Sequence, residues 1–180
     1  EKGAQNINLV TATQWLPWVT AALEEARRRG LHLPVVYNTG GYETIETVQA
    51  LKSYVDIWLT DYKYASPTLA AELSRAADYP AAADAALCEM LRQTGAPVFG
   101  EDGYLRRGVI VRHLALPGHV EDSLAVLRRL AEIRQEVGVP FLTSLMSQFT
   151  PFYHADEHKL GRRITTYEYR KVVDAAIALG

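Results

Sequence analysis

Val55-Asp56-Ile57-Trp58-Leu59-Thr60, followed at once by Asp61-Tyr62-Lys63, is the stretch on which the reading of this chain turns. Its first six residues are mostly large and apolar and lack the strict alternation of a strand that is wet on one side. Such a run describes a strand covered on both faces, as in a parallel sheet. Residues 7–11, 33–37, 109–116 and 141–146 read alike. Helical patterns separate them. The first covers 16–29 and stops at Gly30, the second covers 45–53, and the longest covers 120–137. That last one repeats apolar residues at Val120, Leu124, Leu127, Leu130, Ile133 and Val137 before Gly138. Ser66-Pro67 reads as an N-cap with proline in the first turn, opening a helix over 67–75. A second helix is expected over 80–94 and a turn at Gly100-Glu101-Asp102-Gly103. Thr165-Thr166-Tyr167-Glu168 fits a capping box for a last helix toward Leu179. Repeated β-α alternation predicts an α/β fold with a mainly parallel sheet. Five strands cannot close a standard eight-stranded barrel, so a partial (β/α) barrel or an open sheet is expected.

The 180 residues suffice for one buried core, and the chain is read as a single domain over 1–180. A formal net charge of -2 gives no electrostatic basis for nucleic acid or an acidic membrane surface as partner. One cysteine, Cys88, excludes an internal disulfide framework and suits a reducing cytoplasm. No apolar run approaches the roughly 20 residues of a membrane span. The chain opens at Glu1 without an initiator methionine and runs almost directly into a strand, so its start is read as a cut.

In parallel α/β folds ligands bind beyond the carboxyl ends of the strands. Those five ends carry Thr11-Ala12-Thr13-Gln14, Asn38-Thr39-Gly40-Gly41, Asp61-Tyr62-Lys63, Arg112-His113 with Pro117-Gly118, and Ser147-Gln148. Asp61 and Lys63, two residues apart, point to the same side of an extended chain. Together they suit a zwitterion or a ribose, or a salt bridge. Lys63 alone could serve as the Schiff-base nucleophile of an aldolase or lyase. Arg112, inside an apolar strand, needs a partner, either Asp61 or a ligand carboxylate. His113 points to the opposite face and reads as a core histidine. His154 and His158 have the spacing of a helical zinc pair, yet their segment follows Pro151 with little apolar periodicity and reads as a solvated loop. Arg27-Arg28-Arg29 reads as an exposed helix end. Trp15 and Trp18 read as core or rim, and Cys88 as a buried thiol.

Several segments together resemble radical S-adenosylmethionine proteins related to pyruvate formate-lyase activating enzyme. They are Asn6-Ile7-Asn8-Leu9-Val10-Thr11, the 33–43 stretch through Asn38-Thr39-Gly40-Gly41-Tyr42-Glu43, Val55 to Tyr64, Glu89 to Gln93, Val111 to Gly118, and Ser144 to Phe149. The resemblance covers nearly the whole chain in order. It implies a six-stranded partial barrel of which this chain supplies strands two to six. The first strand and a Cys-x-x-x-Cys-x-x-Cys loop would precede Glu1. It further implies S-adenosylmethionine and, in the full-length parent, a [4Fe-4S] cluster whose open iron chelates that cofactor. Reductive cleavage would then abstract hydrogen, in the activating enzymes from a glycine of a partner protein. Thr11 and Thr13 match the contact to the methionine amino group, and Asn38 and Thr39 the second such contact. Asp61 and Lys63 match a pair at the ribose and carboxylate, Arg112 a base near the carboxylate, and Gln148 a last-strand contact. The implied partners are a glycyl-radical protein or another protein substrate, and an electron donor such as flavodoxin or ferredoxin. Ala12 and Gln14 depart from the proline and histidine of this subgroup, and Asn38 from an aspartate, so the substrate is not carried over. With no cluster cysteines the chain alone is expected to be inactive. The readings that compete are the Lys63 aldolase and a non-catalytic barrel that binds a nucleoside, S-adenosylmethionine or a partner. A missing first strand would leave the 7–11 edge unpaired and open to dimerisation.

Overall fold

The structure is a computed structural model that describes residues 3–180. Strands β1 (Ile7–Val10), β2 (Val35–Thr39), β3 (Ile57–Asp61), β5 (Leu105–Leu114) and β6 (Leu142–Met146) pair in parallel in that order. A short β4 (Val98–Phe99) pairs antiparallel with the start of β5. Among the described residues β1 meets only β2, and β6 is joined to the sheet only through β5, so the sheet does not close. The result is the expected α/β partial barrel.

The helices are α1 (Leu16–Arg28), α2 (Ile45–Ala50), α3 (Pro67–Ser74), α4 (Tyr79–Thr94), α5 (Val120–Val137) and α6 (Thr166–Leu179). Their ends follow from local chemistry. The Ser66 side chain accepts from the Leu69 N–H ahead of Pro67, and Thr165 with Glu168 completes a reciprocal capping box. Gly138 takes the left-handed conformation that ends α5, whose stripe Val126, Leu127, Leu130 and Ile133 is buried. The sheet places Tyr37, Trp58, Val109 and Val111 in one buried layer against Val48, Leu87, Met90 and Ile133 of the helices. Each such large side chain contributes about 1.5–3 kcal/mol on burial.

Two differences from the sequence reading have plain causes. β2 and β3 are buried on both faces as expected, but β1 and β6 are half-exposed, because an edge strand has no outer neighbour. The strand expected at 109–116 begins at Leu105 instead. Its first residues fold back on β4 around the expected Gly100–Gly103 turn, where the Gly100 N–H donates to the Tyr104 carbonyl. Cys88 is half-buried. Trp15 and Trp18 lie on the rim, 57% and 67% exposed, with ring centroids 5.9 Å apart. Among the described residues no helix is long and apolar enough to cross a membrane.

His113 is buried on the helix-covered side. Nδ1 lies 2.8 Å from the Tyr62 carbonyl and Nε2 lies 2.9 Å from Ser123 Oγ. A carbonyl only accepts, so Nδ1 carries the proton and Nε2 accepts from the serine hydroxyl. Burial pulls the His113 pKa down, opposed by the Tyr62 carbonyl and the nearby Asp122 carboxylate. The unfolded chain therefore binds more protons than the native one just below the ordinary pKa of 6.5. Stability falls as pH drops through that window, by at most about 1.4 kcal/mol per pH unit for this one group. Urea unfolding of the wild type and of His113→Gln between pH 7.5 and 5 should show a difference curve that slopes below pH 6.5. A flat difference would remove His113 as the source.

Candidate functional site

The pairing of β3 with β5 sets Asp61 beside Arg112, and β2 brings Asn38 to the same open side of the sheet. Arg112 Nε donates to Asp61 Oδ1 at 2.8 Å, and a terminal guanidinium nitrogen donates to Asn38 Oδ1, also at 2.8 Å. Each carboxylate and guanidinium is roughly four-fifths buried, with side-chain exposures of 21% for Asp61 and 25% for Arg112. This charge-assisted fork answers the need of a cation in an apolar strand and fixes the Asp61 carboxylate in place. Two residues beyond, Lys63 Nζ stands 4.0 Å from Asp61 Oδ2 and is 45% exposed. It makes no hydrogen bond among the described residues, so its ammonium is the uncommitted cation of the group.

A cavity of about 520 Å³ opens from this charged end. Its remaining wall is largely apolar, with Leu114, Leu116, Met146 and Phe149, and the 149–160 segment lies over it. The arrangement suits a ligand that is polar and charged at one end and carries a flat or apolar group at the other.

The two loops flanking the charged group meet closely. Gly41 has φ +81°, and a Cβ there would lie 2.2 Å from the Asp61 carbonyl oxygen, so only glycine fits. The Tyr79 hydroxyl, on the first residue of α4, donates toward the Gly40 and Asp61 carbonyls at 2.9 and 3.1 Å and accepts from the Lys63 N–H at 3.0 Å. Burial pushes its pKa up, so it remains a neutral phenol.

The other expected site residues are placed differently. Thr39 is buried on the helix-covered side of β2, and its hydroxyl donates to Glu43 Oε1 at 2.7 Å. Thr13 meets the same oxygen at 2.8 Å and the Tyr37 hydroxyl at 2.9 Å. These two threonines are thus joined to each other through Glu43 and sit apart from Arg112. Thr11 is exposed at the end of β1 with φ +49°, a conformation costing a β-branched residue about 1–3 kcal/mol, and its N–H donates to the Asn38 carbonyl at 2.9 Å. Gln148 is exposed beyond β6, its amide 3.3 Å from Met146 Sδ. The structure brings together Asn38, Asp61, Lys63 and Arg112, with Thr11 adjoining through the backbone.

His154 bonds to Glu157 within its own exposed turn, and His158 to Glu72 of α3. Among the described residues no three His, Cys, Asp or Glu side chains gather so as to hold a metal ion. Tyr79 and Glu43 are residues the sequence reading missed. Glu43 lies just after the glycine turn, and a carboxylate following a strand-end loop was the available signal. Tyr79 had none, because a tyrosine opening a helix is ordinary.

The fold and site define an α/β partial barrel with a charged cleft at the carboxyl ends of its parallel strands. No protein-family model matches the chain. An uncharacterized protein of Methanocaldococcus jannaschii is 25% identical over 174 residues, which is 96% of this chain and 46% of that protein. The chain thus spans less than half the length of this relative. Among solved structures, a domain of pyruvate-formate lyase-activating enzyme from Bacteroides vulgatus has a TM-score of 0.67, covering 98% of this chain and 96% of that one at 10% identity. At that identity the likeness is one of fold.

Arg112→Met should cost about 3 kcal/mol in urea unfolding, since it strands a carboxylate that is mostly buried. Arg112→Lys should recover less than half of that loss, because an ammonium cannot serve Asp61 and Asn38 as the fork does. Thr11→Asn should raise stability by about 0.5–1 kcal/mol by relieving the left-handed backbone. A loss of stability in Thr11→Asn would mean that the threonine side chain compensates the strain.

Proposed function

We propose that this chain is the cofactor-cradling part of a radical S-adenosylmethionine protein of the pyruvate formate-lyase activating type. The observation that carries the reading is the Asn38–Arg112–Asp61 fork with the uncommitted Lys63 beside it, at the mouth of a cavity in a fold of that kind. S-adenosylmethionine is zwitterionic at its methionine end and carries a ribose and a flat base at the other. Lys63 and the outer edge of Arg112 would take the carboxylate. The Asp61 oxygen that faces Lys63 would take a ribose hydroxyl or the amino group, and Thr11 and Asn38 would flank the amino end. The base would lie against Leu114, Met146 and Phe149. Held there, the cofactor would supply hydrogen-abstraction chemistry, and the role of these residues would be to bind and orient it.

The described residues do not fit the [4Fe-4S] cluster. Cys88 is the sole cysteine of the sequence and lies on α4, away from the strand ends. The reading therefore places the cluster ligands upstream of Glu1 and leaves this chain unable to cleave the cofactor by itself.

Titration calorimetry of the chain with S-adenosylmethionine should give saturable one-to-one binding. Asp61→Ala should weaken it at least tenfold, which corresponds to about 1.4 kcal/mol or more. No saturation at millimolar ligand would sink the proposal.

A further inference from the structure

We propose that Tyr79 is the positioning residue of this site: its hydroxyl clasps the ends of β2 and β3 together and so sets where Lys63 and Asp61 stand for a ligand. The ligand arm of this inference rests on the cofactor reading above; its backbone arm does not.

Tyr79 sits at the first turn of α4, outside every motif at the strand ends, and is buried. A phenol has one proton and two lone pairs. That proton is shared between the Gly40 carbonyl at 2.9 Å and the Asp61 carbonyl at 3.1 Å, while a lone pair receives the Lys63 N–H at 3.0 Å. None of these three backbone groups belongs to the β2–β3 ladder, which ends at Thr39 and Thr60. Beyond that point the two chains would part, and the hydroxyl is what bridges them. The bridging matters because Lys63 reaches back over Gly40: a Cβ on Gly40 would lie 3.6 Å from Lys63 Nζ. Gly41 fits far more tightly: a Cβ there would lie 2.2 Å from the Asp61 carbonyl oxygen and 3.0 Å from the Tyr79 hydroxyl. The backbone from which the Lys63 side chain reaches toward Asp61 Oδ2 is thus one that Tyr79 holds.

The ring is held in turn. Tyr42 stacks on it with centroids 6.0 Å apart, and Tyr64 meets it edge-on at 5.6 Å. A phenol fixed on both sides presents its hydroxyl at one place with little rotational freedom. Such preorganisation is what a binding site gains from a rigid supporting group.

Tyr79→Phe keeps the ring packing and deletes only the hydroxyl. Tyr62→Phe is the matched control, because the Tyr62 hydroxyl bonds to Asp84 on the helix-covered side and makes no contact with the charged group. The experiment reads two quantities on the 180-residue chain: hydrogen exchange of the Lys63 amide by NMR, and the dissociation constant for S-adenosylmethionine by calorimetry, with melting temperature as the check on folding. In Tyr79→Phe the Lys63 amide should exchange at least tenfold faster and the dissociation constant should rise about tenfold, while the melting temperature falls no further than in Tyr62→Phe. The control should leave the Lys63 amide and the dissociation constant within twofold of wild type.

Unchanged exchange at Lys63 in Tyr79→Phe overturns the proposal, as does an equal loss of affinity in the control, which would mark general loosening. If the wild type binds no S-adenosylmethionine, the cofactor reading falls, and the Lys63 amide alone then decides the clasp. If the wild type binds and Tyr79→Phe binds equally well despite faster exchange, the clasp exists but does not position the ligand, and the proposal fails.

Discussion

The parallel register of β3 against β5 is the constraint on which the rest depends. Side chains alternate faces along a strand, so a slip of one residue would carry Arg112 into the helix-covered core and bring a neighbour to Asp61 in its place. What holds the register is the opposite face. Trp58 lies level with Val109, and Thr60 with Val111, in a layer closed by helices, and the apolar members of that layer cannot be turned to solvent without losing several kcal/mol. The apolar core on one side thereby fixes the charged group on the other.

Within that group the charges divide into two kinds. Arg112 is committed along one edge: its Nε and one terminal nitrogen donate to Asp61 and Asn38 and tie three strands together across the open side. Lys63 is uncommitted, half in water, with only the far oxygen of Asp61 at the limit of an ion pair. An exposed pair at that distance contributes little to stability. The tight approach of Gly41 to the Asp61 carbonyl leaves this geometry little room to relax.

Much of the fold was legible beforehand, because parallel strands buried on both faces leave near-continuous apolar runs and helices announce their caps. Ser66, Thr165 and Gly138 act as their local sequence implies. The open edge at residues 7–10 followed from the resemblance, which sets a strand before them, but the same edge exposure at 142–146 was not legible, because that run reads like an interior strand and yet is partly wet. The β4–β5 hairpin was also missed, since Val98-Phe99 is too short to carry a period. At the site, Asp61 and Lys63 were paired from their spacing alone, and Arg112 was assigned Asp61 as one of two partners. That Thr39 turns away from Asn38 follows from the alternation of side chains along β2, but its junction with Thr13 through Glu43 could not be read from the sequence.

The sequence by itself determined the order and type of the main elements, the open α/β architecture and the strand ends at which polar groups gather. Those are local properties, set by periodicity, caps and the alternation of side chains. Only the tertiary structure decided which of those polar groups meet. Asn38, Asp61 and Arg112 lie on three strands, with Asn38 and Arg112 74 residues apart in the chain, and Tyr79 reaches the site from a helix. Hydrogen bonds across such separations are made by the folded register, which no local stretch of sequence encodes.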